Sequence, residues 1–285
     1  MRFSQEQSEV FVPSGADPAT ALSDTTDLCI AAHQDDVEIM AYGPIAACFD
    51  SRTRFFTGCV MTDGAGSPRT GVYADYTNEE MMRTRAEEQK NAARVGAYIA
   101  LALMNLTSAQ IKDNDSGAAV DDIEKLLLLS SPKIVYTHNL ADKHDTHVAV
   151  ALRVIEALRR LPAEKRPAKV YTMEVWRGLD WLCDDDKTIF DTSPHPNLAA
   201  ALLSVYDSQI AGGKRYDSAA LGRRLANATF FASHAADQCE SLSYALDVTA
   251  LINDGASRPE DFIMEYIENF KHDVLSRLQK LRGAI

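Results

Sequence analysis

Between residues 27 and 176 the chain alternates short apolar, β-rich runs with longer segments of helical period, and no other feature constrains the fold as much. The apolar runs fall at 27–32, 54–61, 98–103, 133–137 and 169–176. Helical period is expected over 39–50, 78–95, 120–129 and 146–161; the last puts Val148, Ala151, Leu152, Ile155 and Leu158 on one face. Glu79 and Glu80 in the first turn of 78–95 suit the helix dipole. Such alternation implies an α/β chain with a Rossmann-like, mainly parallel sheet and helices on both faces. After 176 the rhythm changes, and helices are expected at 197–210, 217–231 and 259–283, giving a mostly helical C-terminal part. Residues 1–24 contain Pro13, Gly15 and Pro18 and read as an irregular leader. No internal repeat is present. A single domain over 1–285 is expected, with 197–285 as a helical embellishment of the sheet.

Two turns that follow these runs hold most of the chemistry. Leu28-Cys29-Ile30 leads into His33-Gln34-Asp35-Asp36-Val37-Glu38, an imidazole and two carboxylates within four residues. Ile134-Val135-Tyr136 leads towards Asp142-Lys143-His144-Asp145-Thr146-His147. Open α/β sheets bind ligands at the carboxyl ends of their strands, so both clusters can meet at one edge. A catalytic zinc takes three protein ligands and leaves a position for water. His33 and Asp36 can reach one metal from a single turn, and His147 can supply the third ligand. Asp35 is then placed as general base, and His144, three residues before His147, as an imidazolium that stabilises the oxyanion or protonates the leaving amine. Two histidines and one aspartate suit Zn2+, although other divalent transition metals fit a similar donor set.

The formal charge of -12 disfavours nucleic acid and anionic membrane surfaces, both of which need basic patches. The five cysteines (Cys29, Cys48, Cys59, Cys183 and Cys239) form no CxxC pair and read as free thiols of a reducing compartment. Residues 1–18 have neither the basic nor the apolar region of a secretory signal, and no apolar stretch approaches a membrane span; a cytoplasmic protein is expected. Thr62-Asp63-Gly64-Ala65-Gly66 is either a tight turn or a substrate-lining loop, and it is not a dinucleotide fingerprint. Arg83 and Arg85 read as salt-bridged surface residues or as a fork for substrate. His138 reads as a satisfied structural histidine, and His195 and His234 as loop residues. Trp176 and Trp181 read as core, with a sugar-stacking platform as the alternative. The apolar stripe of 259–283 calls for a core or an oligomer contact.

His33-Gln34-Asp35-Asp36 resembles the His-Pro-Asp-Asp signature of the PIG-L/LmbE-like N-acetylglucosaminyl deacetylases, and His144-Asp145-Thr146-His147 resembles their His-Pro-Asp-His signature. Thr62-Asp63-Gly64, Arg85 with Glu88, and Ser208-Gln209 are similar to lesser elements of that family, so the likeness spans roughly 25–210. The resemblance implies zinc on His33, Asp36 and His147, Asp35 as general base, and His144 as its electrostatic or acid partner. Asp63, Gly64, Arg85 and Asp142 are the residues expected to bind substrate. The implied reaction is removal of an acetyl group from a small-molecule amino sugar or glycoconjugate, commonly a glucosamine derivative. Gln34 stands where the family has proline. Thr146 stands where it has an acid, a loss for which Asp142 or Asp145 can compensate. An amidase of a thiol conjugate and a non-catalytic carbohydrate-binding relative are the alternatives. Loops 64–77, 105–117 and 177–197 are expected to set the substrate.

Overall fold

The computed structural model describes residues 2–282. Eight strands form one sheet: β1 Glu9–Phe11, β2 Asp27–Ala31, β3 Phe56–Thr62, β4 Ala100–Leu106, β5 Ile134–His138, β6 Lys169–Met173, β7 Thr188–Asp191 and β8 Leu242–Asp247, in the order β1-β4-β3-β2-β5-β6-β8-β7. The central pairs β4–β3, β3–β2, β2–β5 and β5–β6 are parallel, and β1, β7 and β8 pair antiparallel at the two edges. The expected class is therefore observed.

The central strands are apolar along their length because helices cover both faces. Every residue of β2 and β3 is buried. Alternate residues serve opposite faces: Leu28, Ile30, Cys59 and Met61 join one core cluster, and Cys29, Ala31, Val60 and Leu101 the other. The helix Asn78–Val95 has the expected limits. Thr77 and Glu80 close a capping box at its start, and Gly96 follows its end.

Several expectations need correction. The leader is not irregular: β1 pairs with β4, and the helix Pro18–Ser23, capped by the Asp17 side chain, buries Ala21 and Leu22. A three-residue strand carries no readable period, and Pro18 reads as a breaker although it occupies the first turn, where proline is tolerated. The helix expected over 39–50 is two, Asp36–Met40 and Tyr42–Phe49, joined at Ala41, so helical backbone begins inside the ligand-rich turn itself. The C-terminal part is not only helical. Its β8 pairs with β6 and, with β7, completes the sheet edge. Among the described residues, no helix is long and apolar enough to cross a membrane.

From β2 the chain runs to β3 and β4 on one side, then returns to place β5 and β6 on the other. The carboxyl ends of β2 and β5 thus lie at the topological switch point, where ligands bind in open α/β sheets.

Candidate active site

Both ligand-rich turns converge at this point. Asp35 sits at φ 90°, a left-handed conformation that turns the chain sharply out of β2 and into the helix Asp36–Met40. Asp36 Oδ2 accepts the His33 backbone N–H at 2.8 Å and lies 3.0 Å from His33 Nδ1 and 3.2 Å from His147 Nε2. His33 Nδ1 and His147 Nε2 are 3.1 Å apart. Three donor atoms therefore form a nearly equilateral triangle. Tetrahedral zinc with bonds of ~2.0–2.1 Å separates its ligands by about 3.3 Å, so the donor set fits such an ion closely.

Around the triangle the electrostatics are strongly coupled. Burial opposes ionisation of Asp36, but the His147 and His33 imidazoles and the His138 contact hold its carboxyl well below the usual range. Burial also opposes protonation of His147, yet Asp36 and Asp142 raise it to about 10. Asp142 was expected near substrate; it lies instead behind His147. Its Oδ2 accepts His147 Nδ1–H at 3.1 Å, and its Oδ1 accepts the His144 backbone N–H at 3.1 Å. It orients the imidazole and directs Nε2 into the triangle.

His138 stacks on His147 with ring centroids 3.9 Å apart. Its Nε2 accepts the Ala32 N–H at 2.8 Å, but its buried Nδ1 has no partner, so the satisfied role read from the sequence is met at one ring nitrogen only. Burial and His147 hold it down to about 4, so it is neutral. His144 faces the cavity beside the triangle, 4.6 Å from the His147 ring and 5.0 Å from that of His33. Burial, His147 and His33 pull it below the ordinary histidine value. A neutral ring that offers one N–H is thus the resting form, not an imidazolium.

Asp35 is buried, and burial pushes its carboxyl up to about 8 against the pull of Arg85. Arg85 is no surface residue: it is 2% exposed. Its Nη2 donates to Asp35 Oδ2 at 3.3 Å and to the Gln34 carbonyl, and its Nη1 donates to Ser208 Oγ at 3.5 Å. Ser208 in turn donates to Glu88 through its N–H and its hydroxyl. Arg85 is therefore a clamp between the Asp35 turn and the C-terminal part. Gly64 has φ +79°, and a Cβ there would meet Gln34 Oε1 at 2.8 Å and Arg85 Cβ at 3.0 Å. Tight turn and cavity wall thus coincide in one loop. Asp63 lines the cavity while its Oδ1 accepts the Ala65 N–H.

The cavity above the triangle has a volume of about 420 Å³. Its outer wall holds groups the sequence did not single out: Lys112, Lys214 and Tyr216. Trp176 also lines it, its ring nearly parallel to His144 at 6.4 Å and with the Lys143 and Lys214 Nζ atoms each 5.4 Å from its centroid. Trp176 nonetheless packs against the core, as read from the sequence, and so does Trp181, which donates inward to Glu174. Beneath Asp35, Gln89 accepts its backbone N–H and donates to the buried Glu38, which Tyr98 and Tyr206 also reach. Nothing in the local sequence marks Gln89 or Tyr206, because their partners lie 51 and 168 residues from them. His195 lies on a loop, as expected.

Residues 28–158 match the family described as GlcNAc-PI de-N-acetylase, PIG-L. An uncharacterized deacetylase of Escherichia coli (strain K12), YaiS, is 31% identical over 139 residues, which cover 47% of this chain and 69% of that protein. The chain belongs to the PIG-L family, and its class is that of the deacetylase hydrolases. The fold recurs in N,N'-diacetylchitobiose deacetylase from Pyrococcus horikoshii (TM-score 0.63, 17% identity, 81% of this chain and 86% of that one). It recurs also in the 4-carboxy-2-hydroxymuconate hydratase GalB from Pseudomonas putida KT2440 (TM-score 0.61, 17% identity, 79% and 96%). A hydratase on the same fold means that the reaction must be argued from the site.

Proposed function

We propose that this protein is a metal-dependent, cytoplasmic N-deacetylase that removes an acetyl group from a small amino-sugar-like substrate. The observation that carries the reading is the donor triangle of His33, Asp36 and His147 with the Asp35 carboxyl beside it, in a chain of a deacetylase family. Those three residues would hold a divalent ion, zinc best by donor type. Such an ion polarises an acyl carbonyl and acidifies water when bound.

The remaining chemistry falls to the chain's own groups. Asp35, held by Arg85 and by the Gln89 contact to its N–H, would ionise more readily with a cation on the neighbouring triangle, and as the carboxylate it takes a proton from the attacking water. Water oxygen bonds to the acyl carbon, and the neutral His144 ring offers its N–H to the developing oxyanion. As the C–N bond breaks, Asp35 returns the proton to the amine nitrogen, and acetate and a free amine leave. Tyr216 and Lys214 approach from the C-terminal part and, with the Trp176 face, position the sugar.

The test pairs metal analysis with acetate release from a panel of N-acetylated amino sugars. His147→Ala should lose the metal. Asp35→Asn should keep it and lose roughly a hundred- to ten-thousand-fold in kcat. Full metal retention by His147→Ala would refute the ligand set. A metal-loaded protein that cleaves only thiol-conjugate amides, or nothing, would replace the reading with one of its two alternatives. The binding-only alternative draws on Thr146, which lines the cavity where the family signature has an acid.

A further inference from the structure

The helix Pro259–Arg282 is anchored only by its first turns. Ile263 is buried, Phe262 and Tyr266 pack against the core, and beyond Phe270 nearly every residue is exposed. Its exposed residues are not polar throughout. Met264 is 46% exposed, Val274 40%, Leu278 60% and Leu281 78%. With the half-buried Ile267 they occupy positions 264, 267, 274, 278 and 281; with Lys271 in the seven-residue gap the spacing alternates three and four as in a coiled-coil seam, and the exposed Leu275 flanks it. At ~1.5 Å per residue the stripe is about 26 Å long. An apolar stripe on a helix that faces no core marks an interaction surface.

Charge along the same helix identifies the partner. Residues 259–270 carry Glu260, Asp261, Glu265 and Glu268 and no basic side chain. Residues 271–282 carry Lys271, Arg277, Lys280 and Arg282 against Asp273 alone. The helix dipole accounts for such residues only in the first and last turns; between them Glu268 pairs with Lys271 at 2.9 Å and Arg277 with Asp273 at 2.7 Å, exposed contacts worth little on their own, and neither dipole nor pairs explain why acids gather in one half and bases in the other. Two parallel copies would set acid against acid. Two antiparallel copies set each acidic half against a basic half, with the twofold symmetry of an isologous contact.

We infer that the protein is a homodimer whose 259–282 helices pair antiparallel along the 264–281 stripe. Lys271 occupies the one seam position that is not apolar, and a single polar residue there fixes register at some cost in stability.

Sedimentation equilibrium and light scattering on the full chain test the inference. The wild type should be a dimer at micromolar concentration. Leu278→Lys with Leu281→Lys changes side chains that the protomer does not bury. It should raise the dimer dissociation constant on the order of tenfold or more while leaving the protomer's melting temperature unchanged. Glu265→Lys with Glu268→Lys, and separately Arg277→Glu with Lys280→Glu, should each weaken the dimer. All four together should restore it, which a parallel pair would not show. A wild type monomeric at every concentration overturns the inference, as does a dimer indifferent to Leu278→Lys with Leu281→Lys. A monomer whose helix instead binds phosphatidylserine vesicles overturns it too.

Discussion

Asp142 and His147 make the clearest case at the scale of single residues. The histidine is visible in the sequence because it stands in a polar turn after an apolar run. The role of Asp142 is not, because five residues of separation do not say which side of the ring it will approach. In the structure its carboxylate accepts a hydrogen bond from Nδ1–H, and although burial pushes the Asp142 carboxyl up, that bond and the His147 charge hold it below its ordinary value. Asp142→Asn should therefore weaken metal affinity by roughly 10- to 100-fold without removing a ligand. A competition titration with a chromophoric chelator would show it. Unchanged affinity would mean that the Asp142 contact does not orient His147. Arg85 teaches the opposite lesson. Charged residues are mostly exposed, so its sequence favours the surface, and only the Asp35 and Ser208 contacts explain why it is inside.

Among elements, the ones legible in advance are those with enough length to show a period or a cap. Asn78–Val95 has the capping box at one end and Gly96 at the other, and its limits were readable to the residue. β1 and β8 were not, since each is stabilised by ladder bonds to strands far away in sequence. The loop after β3 lies between these cases. Its glycine was readable as a turn, but the reason for the glycine is tertiary: a left-handed backbone pressed against Gln34 and Arg85. Gly64→Ala should cost about 1–3 kcal/mol in urea unfolding, from the left-handed penalty and the displaced neighbours. It should also lower activity, because the displaced neighbours flank Asp35. A neutral Gly64→Ala in both assays would contradict this account.

For the molecule as a whole, the buried acids make stability depend on pH. Burial raises Glu174 from 4.5 to about 7, although Leu179 N–H and the Trp181 indole favour its charge. A raised carboxyl favours the folded state fully below its unfolded value, and that contribution is lost as pH climbs from 4.5 through about 7. Wild type should therefore lose stability relative to Glu174→Gln between pH 5 and pH 8, whatever the constant offset between them. Denaturant midpoints of both proteins across that range give the answer, and parallel curves would show that Glu174 does not titrate there. Glu174 is not a donor of the triangle, but Asp142 raises it in part, so both proteins are compared in metal-free form.

The sequence by itself determined the sheet's parallel centre, the family, and the identity of the two polar turns, because period, strand length and turn chemistry are local properties. Only the tertiary structure decided how these parts meet. It brought His33 and His147 to 3.1 Å across 114 residues of chain and turned Asp142 to the back of the site. It drew Arg85 inward against Ser208 and carried Gln209, Lys214 and Tyr216 to the cavity wall. Those outcomes depend on strand order and on contacts between distant segments, which no local pattern encodes.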